Sequence, residues 1–199
     1  MSADRAGPAP LLEAAGPAGG GGCSTEVDEY LFRHVLGRFG TGVTVVTTRV
    51  AGRIYGMTAN AFMSGSLRPP LVVVSVGAHT TLHNHIVTSG LMGISILGVD
   101  QEHHGRHFSG QACQRIEPEF ELNAEVPVVK NALAAIATQI CASYPCGDHT
   151  LFVGRVRFLA YRDGSPLLYF KGRYNELAGI TPMTDAGYEQ WDLDWQRAW

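Results

Sequence analysis

From Thr41 onward the chain alternates short apolar runs with patches of small and hydroxyl residues. Thr41–Thr48, rich in Val and Thr, predicts a strand. Arg49–Arg53, with Gly52, predicts a hairpin turn, and Ile54–Thr58 a strand pairing back. Residues 59–66 carry no clear period and are expected to be irregular or a short helix. Leu71–Val76, after Pro69 and Pro70, is a continuous apolar run of the buried-strand type. Thr81–Ser89 predicts a short helix closed by Gly90, Leu91–Leu97 a strand and Val99–Phe108 a helix. Residues 109–127 show no strong pattern and read as a long connection. Ala132–Tyr144 fits a helix through Ile136, Ile140 and Tyr144, or an alternating strand, and the strand is favoured. His149–Tyr161 alternates as a long strand, with Phe152, Gly154, Val156 and Phe158 on one side. Leu167–Phe170 is a last short strand.

The ends differ from this middle. Residues 1–23 are dominated by Ala, Gly and Pro, a composition that cannot bury enough apolar area to offset its ordering entropy, and are expected to be a disordered tail. The folded domain is expected over 24–178. It opens with a helix capped at Ser24-Thr25, running to about Arg38 and ended by Gly40, with Tyr30, Leu31, His34, Val35 and Leu36 spaced for one buried face. Residues 179–199 carry Trp191, Trp195 and Trp199 and are amphipathic enough to dock on the domain or on a partner subunit. Many short strands with helices inserted between them fit a mainly β protein, a barrel with helical cover. No G-x-G-x-x-G opens a helix after a strand, which excludes a Rossmann reading.

Composition narrows the function classes. A chain of 199 residues, 45% hydrophobic and 17% charged, suits one globular domain. Its formal net charge of −3 and lack of a basic stripe give no basis for nucleic-acid binding. No apolar run reaches the ~18 residues of a spanning helix, so no membrane role is expected. Without a secretory signal, the unevenly spaced Cys23, Cys113, Cys141 and Cys146 are expected to be reduced thiols in the cytoplasm. The histidines cluster, as His79, His83 and His85 and as His103, His104 and His107, but no H-E-x-x-H or matching carboxylate accompanies them. No metal site is expected.

The segment Gly56-Met57-Thr58-Ala59-Asn60-Ala61-Phe62-Met63-Ser64-Gly65-Ser66 is too polar for core and too poor in charge for an ordinary solvated loop. Small residues let a flat ligand approach the backbone, and Thr, Asn and Ser supply donors to its polar edge. The same hydroxyls also suit the plain task of satisfying strand-end backbone groups. Thr80 and Thr81, ahead of a predicted helix, can cap it, hold a phosphate at its N-terminus, or do both.

Taken in order, Thr41–Thr48, Gly56–Phe62, Ser66-Leu67-x-Pro69-Pro70-Leu71-Val72, Arg106–Gly110, Gly147-Asp148-His149 and Pro166–Phe170-x-Gly172-x-Tyr174 resemble the short-chain NAD(P)H:flavin reductases, over roughly residues 26–175. These are reductase components of two-component flavin-dependent monooxygenases. The resemblance implies an FMN-binding split β-barrel of Greek-key type, a homodimer, and hydride transfer from NADH, in preference to NADPH, to FAD or FMN. Reduced flavin then passes by diffusion to a separate monooxygenase component. By the same resemblance Thr41, Gly42, Val43, Thr58, Ala59, Asn60, Ser64, Gly65, Thr80, Thr81, His107 and Phe108 hold the flavin. His149, Tyr169, Lys171, Gly172, Arg173 and Tyr174 close the nicotinamide side, with His149 orienting NADH or donating a proton. The chain departs from the family pattern at Asn60, Gly65 and His107. A non-catalytic flavin carrier or sensor on the same fold is the alternative.

Overall fold

The computed structural model describes residues 27–111 and 117–177. The short helix α1 (Glu29–Leu36) is followed by β1 (Thr41–Gly42), β2 (Thr44–Val50), β3 (Arg53–Ala59), β4 (Phe62–Leu67) and β5 (Pro70–Gly77). Next come α2 (Thr81–Ser89), β6 (Leu91–Ile96), a 3-10 turn at Val99–Gln101 and α3 (Glu102–Phe108). The chain continues through β7 (Phe120–Asn123), β8 (Val126–Val129), β9 (Ala134–Cys146), β10 (His149–Tyr161), β11 (Leu168–Phe170) and β12 (Arg173–Asn175).

Seven strands form one antiparallel sheet in the order β3-β2-β6-β9-β10-β5-β4. Its edges, β3 and β4, are consecutive in the chain, joined only by Asn60 and Ala61. In a flat sheet these edges would stand six strand spacings, about 29 Å, apart. The three Cα steps from Ala59 to Phe62 reach at most about 11 Å. The sheet therefore curls until the end of β3 meets the start of β4. Its hydrogen bonding stays open, since no β3–β4 ladder forms among the described residues; instead the Ser75 amide donates to the Ala61 carbonyl at 3.0 Å.

Alternation along β2 feeds two cores. Val46 enters the first, with Val72, Val74, Val76, Met92, Ile94, Ile136 and Phe152 from four other strands. Leu82 and Ile86, one turn apart on α2, complete it. Val43 and Val45 face the second, with Leu97, Val129 and Leu167, and Phe108, Phe120, Tyr169 and Tyr174 pack against it. Covering that outer face are α3, the β7–β8 hairpin and a small sheet of order β1-β11-β12. The Thr47 hydroxyl donates to the Pro127 carbonyl, which ties the hairpin to the main sheet.

The predicted strands from β2 to β11 are present, the β9 segment as a strand, with several corrections. Of residues 59–66, expected to be irregular or a short helix, 62–66 belong to edge strand β4. Part of the presumed connection at 109–127 is the β7–β8 hairpin. Thr41–Thr48 is split at Val43, whose carbonyl accepts from the Leu97 amide. The first helix is shorter than expected. Asp28 caps it by accepting from the amides of Tyr30 and Leu31, and Gly37 ends it. No residue of that helix is buried, so the expected buried face is not formed by the described residues. The expected disordered tail at 1–23 and the Trp segment at 179–199 lie outside the described residues, as do Cys23 and Cys113. Cys141 and Cys146 are free and exposed. Among the described residues no helix is long and apolar enough to cross a membrane.

Helix α3 lies against β3 at Gly56, where an added Cβ would sit 2.8 Å from the Phe108 ring. Gly56→Val is expected to push Phe108 from the second core and cost about 1–3 kcal/mol. Chemical denaturation measures that loss as a lower midpoint at unchanged slope.

Candidate functional site

The end of β3 is held from two sides. The Thr58 hydroxyl donates to the Gly105 carbonyl of α3 at 2.7 Å. From β2, the Thr44 hydroxyl donates to the Ala59 carbonyl, also at 2.7 Å. With its flanks fixed, the segment Thr58–Asn60 forms a wall shared by two cavities.

The first cavity, of about 170 Å³, lies on the α3 side. Val43 and the shared wall face Tyr169 and Tyr174, with Ser109 and Gln111 at the end of α3. The two tyrosine rings meet edge to face, with centroids 5.5 Å apart. Burial raises the Tyr174 hydroxyl above the ordinary phenol range, against a hydrogen bond with Ser109 that lowers it. Gly105 lets Tyr174 pack close, because a Cβ there would lie 3.0 Å from that hydroxyl.

The second cavity, of about 340 Å³, lies on the β5–β10 side. Met57 and Ala61 extend the shared wall, and Ser75, Gly77, His79, Thr80, Asp148 and His149 face it. His149 stands directly across the ladder from Gly77. Its Nδ1 is 2.7 Å from the Asp148 carboxylate. That bond, with the attraction of the imidazole, holds Asp148 below the usual carboxylate range. Asp148 also anchors its turn, its carbonyl accepting from the Ala78 amide at 2.9 Å. Thr80 is the N-cap of α2. Its hydroxyl accepts from the His83 amide and donates to the Gly77 carbonyl, so the hydroxyl is already engaged and an anion there would meet backbone amides.

Of the residues expected to hold flavin, the structure gathers Val43, Thr58, Ala59, Asn60 and Thr80 around these cavities. Thr41 and Gly42 lie in β1, paired to β11, and do not line either. Ser64 and Gly65 sit at a bulge on β4, away from both. Thr81 is exposed at the start of α2. Phe108 is spent on the second core, and His107 packs edge-on against it at 4.8 Å. The expected nicotinamide set is divided. His149 lines the second cavity, Tyr169 and Tyr174 the first. Lys171 and Gly172 form the exposed β11–β12 turn, with Arg173 beside it.

Ser75, His79, Ser109 and Gln111 were not foreseen as site residues. Ser75 had a signal, being the one hydroxyl inside the apolar run Leu71–Val76. Of the other clustered histidines, His83 bonds Thr150 at 3.0 Å and His85 stacks on Tyr55 at 3.6 Å.

Small side chains, backbone amides and hydroxyls around two adjoining cavities suit two flat ligands meeting at one strand end. A model of the flavin reductase like domain matches residues 36–178. An NADH-dependent flavin reductase of Rhodococcus sp is 44% identical over 155 residues, covering 76% of this chain and 88% of that protein. The reductase component of 4-hydroxyphenylacetate 3-monooxygenase from Thermus thermophilus is 39% identical over 147 residues, covering 73% and 95%. Among solved structures, flavin reductase PheA2 in its native state superposes with a TM-score of 0.75 at 43% identity, covering 77% of this chain and all of that one, 100%.

His104 of α3 lines neither cavity and has a buried Nδ1 with no hydrogen-bond partner among the described residues. Desolvation, reinforced by His103 and His107 and opposed by Asp100, lowers it from 6.5 to about 4. Between those values the unfolded chain binds more protons than the folded one, so stability rises with pH. Stability is expected to be complete above pH 6.5 and to fall as the pH drops towards about 4. His104→Gln should flatten that decline in denaturation midpoints measured across the window.

Proposed function

The chain belongs to the flavin reductase like domain family, and we propose that it is an NADH-dependent flavin reductase that supplies reduced FAD or FMN to a separate monooxygenase component. The observation that carries this reading is the shared wall: Thr58, Ala59 and Asn60 line both cavities, so ligands on its two sides approach each other across one strand end. On the same reading the curled, open sheet is a split β-barrel, the chain acts as a homodimer, and reduced flavin leaves by diffusion.

The site fits both ligands. An isoalloxazine ring is flat and apolar on its faces, with one polar edge that needs donors. The wall offers little bulk beyond Asn60, and its exposed amide side chain can donate to that edge. When bound, flavin and nicotinamide carry the hydride chemistry between themselves. The chain's part is to orient them, exclude water and steady charge.

Asn60 and the strand-end amides donate hydrogen bonds where negative charge develops. The phenols of Tyr169 and Tyr174 enclose the α3 side and limit access by water. At the other side Asp148 accepts from His149 Nδ1, which leaves Nε2 as the imidazole's free hydrogen-bonding atom in the second cavity. That tautomer lets His149 accept from a ligand amide, or donate when protonated.

The test is steady-state kinetics with NADH and each flavin varied independently, followed by loss of NADH absorbance. Saturation in both is expected. His149→Ala should lower kcat/KM for NADH about 10–100-fold, equivalent to about 1.4–2.7 kcal/mol, with flavin KM nearly unchanged. No turnover from a folded protein with either flavin would leave a flavin carrier or sensor as the reading. Unchanged turnover in His149→Ala would remove His149 from the site.

A further inference from the structure

Helix α1 presents an apolar face that the described residues leave uncovered. Tyr30, Phe32, Val35 and Leu36, with Val27 before the helix and Phe39 after it, are each more than half exposed. At about 100° per residue, Val27, Leu31, Val35, Phe32 and Leu36 fall on one half of the helix surface. Leu31 alone among these five is half-buried. A contiguous apolar face of this kind marks a surface that something covers. The helix is attached at its C-terminal end, where the Lys171 amide donates to the Gly37 carbonyl at 2.9 Å. That bond brings the cationic turn of Lys171 and Arg173 to the end of α1, just past which stands Arg38, while Arg33 within the helix pairs with Glu29 at 4.0 Å.

We propose that this face is the docking surface for the C-terminal segment of the same chain, residues 189–199. Trp191, Trp195 and Trp199 recur every fourth residue, a spacing that puts all three on one face of a helix. Around them stand Glu189, Asp192 and Asp194, with Asp185 upstream, against Arg197 as the one cation. The segment is thus aromatic and acidic, the complement of an apolar face whose C-terminal end stands beside Arg38, Lys171 and Arg173. Reach is sufficient. The chain leaves β12 at Asn175, on the hairpin whose turn is bonded to α1. Residues 178–190 span up to about 43 Å when extended, and an eight-residue helix is about 12 Å long. The family match, at 36–178, begins at the last residue of α1 and ends before the segment. Docked there, the segment braces the hairpin that carries Tyr169 and Tyr174. The inference does not depend on the chemistry proposed above.

All three tryptophans of the chain lie in this segment, so the tryptophan fluorescence of the full-length protein reports on it alone. Native emission is expected to be blue-shifted relative to the denatured chain. In the double variant Val35→Asp/Phe39→Asp it should move to the denatured position while circular dichroism keeps the strand signal. Val87→Asp, exposed on α2, serves as the control and should leave emission unchanged. The reciprocal variant Trp191→Ala/Trp195→Ala leaves the described body intact. It should speed hydrogen exchange of the α1 amides about tenfold or more, with the β9 and β10 amides unaffected. Three results each overturn the proposal. One is native emission already at the denatured position. Another is blue-shifted emission that the α1 substitutions leave in place, with α1 exchange unchanged in the reciprocal variant. The third is a blue shift that appears only as protein concentration rises, which assigns the face to a second copy.

Discussion

Two residues set the shape of the site. Asn60 and Ala61 join strands that stand at opposite edges of a seven-stranded sheet, and a chain that short forces the edges together. Curling gives the sheet a concave face, where β2, β5, β6, β9 and β10 pack their inward residues with Leu82 and Ile86 of α2. It also gathers strand ends that are far apart in sequence. Thr58–Ala61, Ser75, Gly77, Asp148 and His149 line one cavity because the β3–β4 link lies beside the β5–β10 ladder at this rim. Position at the rim, rather than in the core, leaves Asn60, Asp148 and His149 exposed, so their polar groups carry no uncompensated desolvation cost.

The outer layer depends on the same strand end. Thr58 spends its hydroxyl on the Gly105 carbonyl, so the strand that walls both cavities also holds α3. Two glycines let α3 pack closely, Gly56 of β3 under the Phe108 ring and Gly105 of α3 against the Tyr174 ring of β12. Their lack of a side chain is therefore a packing requirement rather than a source of flexibility. Because α3, β11 and β12 share the second core, the tyrosines of the first cavity are set by apolar packing at Val43, Val45, Leu97 and Leu167.

What the sequence revealed follows from how each element is buried. Strands β2, β5, β6 and β10 pack in the interior of the sheet, and their apolar runs or clean alternation made them legible. Strand β4 is an edge, paired on one side only, with Ser64, Gly65 and Ser66 between exposed Met63 and Leu67, so its composition mimics a loop. The β7–β8 hairpin hid for a different reason. Its two central residues, Ala124 and Glu125, both have positive φ, which hairpins of this type normally signal with Asn or Gly. The equivalent turn at Ala51-Gly52 did carry Gly and was recognised. Periodicity identified α1 as amphipathic and left open what its apolar side would meet. Of the residues the ordered motifs singled out, Val43, Thr58–Asn60, Thr80, His149, Tyr169 and Tyr174 line the two cavities. Which cavity each one faces depends on the curl of the sheet, a long-range property that local patterns do not carry.

The same rim geometry bears on how a flavin would be held. A reductase that passes reduced flavin onward needs an orienting site with modest affinity, because every added contact slows release. Asn60, Ala61, Asp148 and His149 are all exposed, and the hydroxyls of Thr58 and Thr80 are already committed within the protein. The polar groups free to meet a ligand are therefore mostly backbone amides and water-facing side chains, whose exchange of water for ligand gains little net free energy. Shape, through the flat wall at Thr58–Asn60, is then the main source of orientation. Proximity and alignment of the two rings need only that wall to be rigid, and the bonds from Thr44 and to Gly105 make it so. A site of this kind separates what catalysis needs, a fixed surface, from what tight retention needs, many buried polar contacts.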